Sequence, residues 1–425
     1  MRNMKDSGVE WIGEIPCNWP LMRFKDKYIN KKEIAKEQSV EYERLALTMS
    51  GVIKRPKDDA EGLQPQEFDS YQIIHVDDFV FKMIDLQNVS TSRVGLSPYT
   101  GLVSPAYIRF SPKQKGQFNQ YVYYYLMSLY YNCVFNNLGG NGVRSALNAK
   151  DMGDFVMPFP PEEEQRKICA YIDRQKDDVD ILISNVQAQI EKLKAYKQSV
   201  ITEVVTKGLN PAVMMKDSGV EWLGEVPNHW DVYRIANLYA ERSENGLPEL
   251  PILTVSINTG VSDHEVEDKD KDRVFIRMED RSKYKRVCPG DLTYNMMRAW
   301  QGAFGAVRVD GLVSPAYVVA KPKNDIPLDS RYIEALLRTP VAIEEMHRYS
   351  RGIVDFRLRL YWPEFKNICI CLPPIEEQQK IADYIDEIAA KVDALVAIKQ
   401  AKIEKLEQYK RSLIYEYVTG KKEVS

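Results

Sequence analysis

Apolar residues follow two spacings along the chain, and the pair of spacings occurs twice. The longer-range one runs through Ile168, Ile172, Gln175, Val179, Leu182, Val186, Gln189, Leu193, Tyr196 and Val200. It returns at Ile381, Ile385, Ile388, Val392, Leu395, Lys399, Lys402, Leu406, Tyr409 and Leu413. A four-three alternation held over more than four heptads puts one stripe on a long helix and demands a partner helix. The stripe is interrupted at Gln189, Lys399 and Lys402, and Ile190, Ile398 and Ile403 beside those positions predict that it drifts. A segment of about 45 residues makes an arm of about 65 Å. The connection "KGLNPAVM" (Lys207 to Met214) is short, which predicts that the two arms pack on each other.

Ahead of each arm the pattern shortens. "YQIIHVDDFVFKMIDL" and "VCPGDLTYNMM" hold short β-branched and aromatic runs bounded by turn residues, while "FNQYVYYYLMSL" and "SRYIEALLRTPVAIEEM" carry helical spacing. Compact α+β domains are predicted over Trp19 to Met157 and Trp230 to Ile370. Pro160-Pro161 and Pro373-Pro374 then stop a strand and start a helix. Glu162, Glu163, Glu164, Glu376 and Glu377 suit the positive end of the helix dipole.

The alternation is a repeat in the letters as well. "MKDSGVEWIGEIP" (Met4 to Pro16) recurs as "MKDSGVEWLGEVP" (Met215 to Pro227), "GLVSPAYIRF" (Gly101 to Phe110) as "GLVSPAYVVA", and "PPEEEQRKICAYID" (Pro160 to Asp173) as "PPIEEQQKIADYID". "DDFVFKM" aligns with "GDLTYNM", and Gly139, Arg144 and Leu147 align with Gly352, Arg357 and Leu360. The chain is a tandem duplication of a unit of roughly 210 residues. It divides into 1–158 (opening segment plus first domain), 159–208 (first arm), 209–371 (repeated segment plus second domain) and 372–425 (second arm). The apolar face of the opening phrase, Val9, Trp11 or Trp222, Ile12 or Leu223, Pro16 or Pro227, is expected to seat each domain against an arm.

Composition narrows the class. A chain of 425 residues with 44% apolar content has enough material for two or three packed cores. No window reaches 18 consecutive apolar residues, and Lys5, Asp6 and Glu10 occupy the place of a signal peptide's apolar stretch, so a cytoplasmic protein is expected. The six cysteines form no CxxC pair, and Cys369 and Cys371 share one face of a strand as buried thiols. A net charge of −3 argues against nonspecific coating of nucleic acid, leaving local basic patches or a partner to supply positive field.

Catalytic signatures are missing from the sequence. There is no GxxxxGK[ST], no GxGxxG after a strand and no HExxH, and His75, His229, His264 and His347 occupy unmatched positions of the two copies. Asp268, Asp270, Asp272 and Glu279 have EF-hand spacing, but Arg273 stands where the loop needs glycine, so a solvated charged loop is expected. Glu267 and Lys269 lack a partner carboxylate. Ser104 and Ser314 lack the nucleophile elbow and a companion histidine. No catalytic residue, metal or cofactor is expected.

"SGVEWIGEIPCNW", "GDLTYNMMRA", "GLVSPAY" and "LPPIEEQQKIADYID", each in its place within a duplicated unit, resemble the DNA-specificity (S) subunit of a type I restriction-modification system. The resemblance spans nearly the whole chain. It implies two target-recognition domains, each reading half of a bipartite, asymmetric double-stranded DNA target. It also implies two arms forming an antiparallel coiled coil with pseudo-two-fold symmetry. Two methyltransferase subunits, with motor-nuclease subunits, would dock through the arms and carry the adenine methylation and restriction activities, leaving this chain non-catalytic. Expected DNA-contacting residues are Ser50, Lys54, Arg55, Gln87, Asn88, Arg93, Asn141 and Arg144 in the first domain, and Ser256, Asn258, Arg298, Trp300, Gln301, Arg351 and Arg357 in the second. Arg144 and Arg357 coincide in both copies, which suits phosphate contact or a scaffold ion pair. Two other readings are a scaffold whose domains bind protein and a stand-alone methyltransferase or nuclease, the latter opposed by the missing cofactor motif.

Overall fold

The computed structural model describes residues 2–49, 51–58, 67–84, 86, 93–138, 146–265, 280–323, 325–352 and 358–424. Its contacts divide the chain into two units, Met1–Val186 with Gln400–Ser425, and Gln187–Lys399. Each unit holds a domain of mixed strands and helices together with part of both arms, which run Glu162–Lys207 and Ile375–Val418.

In the first unit the run "DFVFKM" becomes the strand Phe79–Phe81, buried on both faces. Alternation sends Phe79 and Phe81 into one core with Phe24, Tyr28 and Phe110, and Val80 into a second with Leu45, Val52, Ile74 and Val103. Phe24 stacks on Tyr28 at 4.4 Å and meets Phe110 edge-on at 5.0 Å, the offset and edge geometries that aromatic quadrupoles favour. The strand sits in a four-stranded sheet ordered Tyr28–Asn30, Ile108–Pro112, Phe79–Phe81, Val94–Leu96. A second sheet is ordered Gly51–Arg55, Arg44–Thr48, Gly101–Val103, Gln72–Ile74.

The second unit repeats the plan with other residues. Its central strand, Leu292–Asn295, lies between Tyr317–Pro322 and Phe304–Ala306, with Tyr239–Glu241 at the edge. Leu292 and Tyr294 join Trp230, Tyr239 and Phe365 in the larger core, while Val319 faces a smaller one with Leu253, Val287 and Val313. The matched aspartates of "DDF" and "GDL" do the same work in both units. Asp78 accepts from His75 N at 2.7 Å and Asp291 from Cys288 N at 2.9 Å. Each carboxylate is buried and paired, Asp78 with Arg109 at 2.6 Å and Asp291 with Arg242 at 3.0 Å. The arginines come from different parts of the two domains, so the cost of burying the charge is met by a partner found independently. Burial pushes the Asp291 carboxyl up, and Arg242 draws it back.

Both arms begin and end alike. Gln165 and Gln378, 2% and 1% exposed, each donate Nε2 to the proline carbonyl five residues back, at 2.8 Å, closing the Pro-Pro corner. Gly208 and Gly420 end the arms with φ of +76° and +73°, the left-handed stop that glycine alone adopts without penalty. A Cβ on Gly420 would stand 2.4 Å from Pro16. In the first unit Tyr171 meets Tyr417 at 4.6 Å and Asp180 pairs with Lys410 at 2.7 Å. In the second, Gln189 accepts from Lys399 and Asp393 pairs with Lys197, both at 2.6 Å. In each unit the partner's number falls as the first arm's rises, so the two helix segments run in opposite directions there. No helix among the described residues is long and apolar enough to cross a membrane.

The seam departs from the strict heptad reading by one residue, in the same way in both arms. Ile168, Ile172, Val179, Val186, Ile381, Ile385, Val392 and Leu413 are buried, and Leu193, Val200, Ile388 and Leu406 are half-buried. Leu182 and Leu395, by contrast, are 48% and 46% exposed. Ile183 and Ile190 fill the interleaved positions of the first arm, and Val396 and Ile403 those of the second. An extra step of four follows Val179 and Val392, a stutter that keeps the stripe facing its partner where a strict 3.5-residue repeat would rotate it away. Ile183→Ala should therefore destabilise the protein by about 2 kcal/mol or more, and Leu182→Ala by less than about 1 kcal/mol, measured by denaturant unfolding. Gly420→Ala should cost about 1–3 kcal/mol in the same measurement, from the positive φ and the contact with Pro16.

Candidate nucleic-acid interface

Three segments of the second unit converge on one exposed place. The strands Val255–Ser256 and Gly260–Val261 form a short hairpin whose turn is drawn in by Ser256, its Oγ accepting from Asn258 N at 3.1 Å and Thr259 N at 3.4 Å. Asn258 and Thr259 are exposed. Beside it lies the single turn Ala299–Gln301, closed by Gly302 at φ +94°. A Cβ on Gly302 would stand 3.8 Å from the Ile257 carbonyl and 3.2 Å from Ile343 Cδ1 of the third segment, the helix Pro340–Tyr349. Trp300 donates its indole N–H to Met297 O at 3.0 Å, and its ring meets His347 edge-on at 5.5 Å. Gln301 is exposed and Arg298 half-buried. Leu360 N donates to Met296 O at 2.8 Å, and the pairing of Arg351 with Arg359 continues from there. Arg351 is held 2.6 Å from Glu364 yet is 73% exposed. Ser256, Asn258, Arg298, Trp300 and Gln301 are thus gathered, with Arg351 on the adjoining segment.

Of the residues expected in the first unit, the structure describes Lys54, Arg55 and Arg93. Arg44–Thr48 and Gly51–Arg55 pair so that Lys54 and Arg55 lie at the end of the hairpin away from its tip. Lys54 is 2.6 Å from Glu43 and 5.2 Å above the Tyr99 ring. Arg93 corrects an expectation: it is 0% exposed and donates Nη1 to Ile84 O at 2.7 Å, so its charge is spent inside the domain and does not reach a groove. Ser50, Gln87, Asn88, Asn141, Arg144 and Arg357 lie outside the described residues. The scaffold around that stretch nonetheless matches the second unit. Leu147 N donates to Met83 O at 3.0 Å, as Leu360 N does to Met296 O, and the next residues, Ile84 and Met297, are 45% and 41% exposed.

Several residues with structural roles escaped the sequence reading. The opening phrase folds as a hairpin, Met4–Asp6 with Glu14–Pro16, and Met215–Asp217 with Glu225–Pro227. Trp11 and Trp222 are only partly buried, against Phe155 at 5.5 Å and with an indole N–H on Cys369 O at 3.1 Å. The fully buried tryptophans are Trp19 and Trp230, three residues beyond the phrase's proline, at matched positions that the repeat made available. Trp19 shares a core with Ile168, Leu413 and Val418; Trp230 shares one with Val205, Ile381 and Ile385. Tyr121 donates to Val418 O at 2.7 Å, and Tyr332 to Val205 O at 3.0 Å. Arg338 carried no sequence signal, because its partners are carbonyls of distant segments. Cys371 is buried, its thiol pushed up to about 12 by desolvation, while Cys369 is half-buried. Among the described residues no three His, Cys, Asp or Glu side chains gather to hold a metal ion.

Comparison with known proteins agrees with this architecture. The type I restriction modification DNA specificity domain matches residues 22–192 and 299–408. The chain is 25% identical to the type I restriction enzyme MjaVIII specificity subunit of Methanocaldococcus jannaschii, covering 96% of this chain and 93% of that one. It is 22% identical to the type I restriction enzyme EcoBI specificity subunit of Escherichia coli, covering 66% and 61%. A solved chain from work on complex assembly and conformational transition of the type I R-M system superposes with a TM-score of 0.62 at 15% identity, over 95% of this chain and 98% of that chain, a likeness of fold. With the domain matched over more than half of its length, the chain belongs to the type I restriction-modification DNA specificity family, as an S subunit.

Proposed function

We propose that this protein reads a bipartite, asymmetric double-stranded DNA sequence for a type I restriction-modification complex. In this reading 1–158 and 209–371 are the two target-recognition domains with their leading segments, and 159–208 and 372–425 are arms joined as an antiparallel coiled coil with pseudo-two-fold symmetry. Two methyltransferase subunits dock on the arms, with motor-nuclease subunits joining them, and adenine methylation and cleavage belong to those partners. The chain itself is non-catalytic, carries no cofactor, and works in the cytoplasm.

The observation that carries the proposal is the matched fastening of each domain to the arms. Tyr121 joins the first domain to the end of the second arm, and Tyr332 joins the second domain to the end of the first. Two domains held by the same joint, with differing exposed loops, suit two different half-sites related by one helical turn, about 34 Å between centres. Within the second domain, Asn258 and Gln301 have the donor and acceptor pairs that read adenine, and Arg298 and Arg351 suit guanine or phosphate. Lys54 and Arg55 are the corresponding proposals in the first domain, together with Ser50, Gln87, Asn88, Asn141 and Arg144.

Co-expression with its methyltransferase subunit, followed by genome-wide mapping of modified adenine, should return a split motif with a spacer of constant length and two unlike halves. An unbroken short motif, or identical inverted halves, contradicts the proposal. In gel-shift titrations at several salt concentrations, Arg298→Ala should weaken binding. A loss shared by all duplexes with a salt slope smaller by about 1 marks a phosphate contact, and a loss of about 1–3 kcal/mol confined to one base marks a base contact.

A further inference from the structure

The hairpin that presents Asn258 is too short to hold its own shape. Its strands contribute two residues each, Val255–Ser256 and Gly260–Val261, and a ladder of that length is marginal without outside support. Thr254 and Ser262 extend the pairing by a bond in each direction, Ser262 N to Thr254 O at 2.9 Å and Thr254 N to Ser262 Oγ at 3.0 Å, and the turn itself is held from the helix side by a guanidinium. Arg338, which follows the helix Ser330–Leu337, donates Nη2 to Ile257 O at 2.9 Å and to Asn258 O at 2.8 Å, and Nη1 to Phe304 O at 2.8 Å. Two of those carbonyls belong to the turn and the third to the neighbouring strand Phe304–Ala306.

The fit around this cation leaves little freedom. A Cβ on Gly260, at φ +75°, would stand 2.4 Å from Glu334 Oε1 and 3.0 Å from Arg338 Nη1, and one on Gly305 would stand 3.0 Å from the same carboxylate oxygen. Glu334 and Arg338 lie one helical turn apart and face the hairpin together. Within the turn, Ser256 Oγ takes the amides of Asn258 and Thr259. The turn's carbonyls are therefore bound from below and its amides from within, and the side chains of Asn258 and Thr259 are what remains to face outward.

We infer that Arg338 is a positioning residue for sequence reading: through the Ile257 and Asn258 carbonyls it sets the shape in which the Ser256–Gly260 turn meets the bases of one half-site. This rests on the DNA-reading function proposed above. A planar fork reaching carbonyls on two segments has no substitute in lysine, whose ammonium is a point donor. The residue acts through the turn and does not itself contact DNA.

The test maps modified adenine in cells carrying the full chain and its methyltransferase subunit, comparing wild type with Arg338→Gln and Arg338→Lys. Both variants should relax base preference about 10- to 100-fold at one or two positions of one half-site, leaving the other half and the spacer unchanged. A motif identical to wild type in both variants overturns the inference, as does equal relaxation of both halves, since a general loss of fold is not confined to one domain. If both arginine variants abolish modification, Gly260→Ala decides, because its Cβ, at positive φ and 2.4 Å from Glu334 Oε1, shifts the same turn off its seat while keeping Arg338 and every proposed contact residue. Relaxation of one half-site then supports the inference, and an unchanged motif overturns it. A wild-type chain that returns no split motif would instead defeat the proposed function itself.

Discussion

A long helix ends with carbonyl groups that its own backbone cannot satisfy, and this protein has two such ends to bury. In each unit a tyrosine from the recognition domain answers that need. Tyr121 gives its proton to Val418 O, the last residue of the second arm, and lies 3.3 Å from Pro158 O; Tyr332 does the same with Val205 O and lies 3.2 Å from Cys371 O. Both side chains are fully buried, and desolvation holds both phenols protonated well above their ordinary range. Each hydroxyl thus joins a domain helix, the strand that leads into one arm, and the end of the other arm. The left-handed glycine past each arm, seated on Pro16 and Trp19 or on Pro227 and Trp230, completes the joint. Removing the Tyr121 phenol would take from the buried Val418 carbonyl its side-chain donor, which is costlier than the bond is favourable, whereas Val205 O also receives the Cys371 thiol at 3.7 Å.

Outside this joint the backbone-satisfying contacts are kept and their side-chain surroundings have varied. The matched aspartates Asp78 and Asp291 keep their turns but draw arginines from different segments. The arm starts share Gln165 and Gln378, while the neighbouring contacts differ: Trp19 donates to Glu164 at 3.0 Å, whereas Glu377 is taken by His229 at 2.7 Å. Domains that must present unlike loops on like mountings would be expected to conserve the backbone-satisfying contacts and to release the rest.

The sequence made the duplication, the arms and their Pro-Pro starts legible, because repeated letters and heptad spacing are local signals. Of the residues the spacing picks out, Val179, Val186, Val392 and Leu413 are buried. The drift was legible at Ile190 and Ile403, but not its starting point: one stutter shifts the stripe from Leu182 to Ile183 and from Leu395 to Val396, and spacing alone does not say where a helix absorbs its drift. Of the residues proposed to contact DNA, those gathered around Asn258 and Trp300 came from loops next to matched strands. Arg93 misled, since an arginine bound to a backbone carbonyl within a core reads the same as one facing solvent. Arg338 was invisible, because its partners, Ile257, Asn258 and Phe304, are far from it in sequence.

The central claim is that the joint is generic and the domains interchangeable readers. Replacing Trp230 to Ile370 with a second copy of Trp19 to Met157, then mapping modified adenine with the methyltransferase subunit present, tests it most directly. The account predicts a split motif whose two halves are inverted copies of the first domain's half-site. A motif that keeps the second half-site, or one that is no longer split, would contradict it.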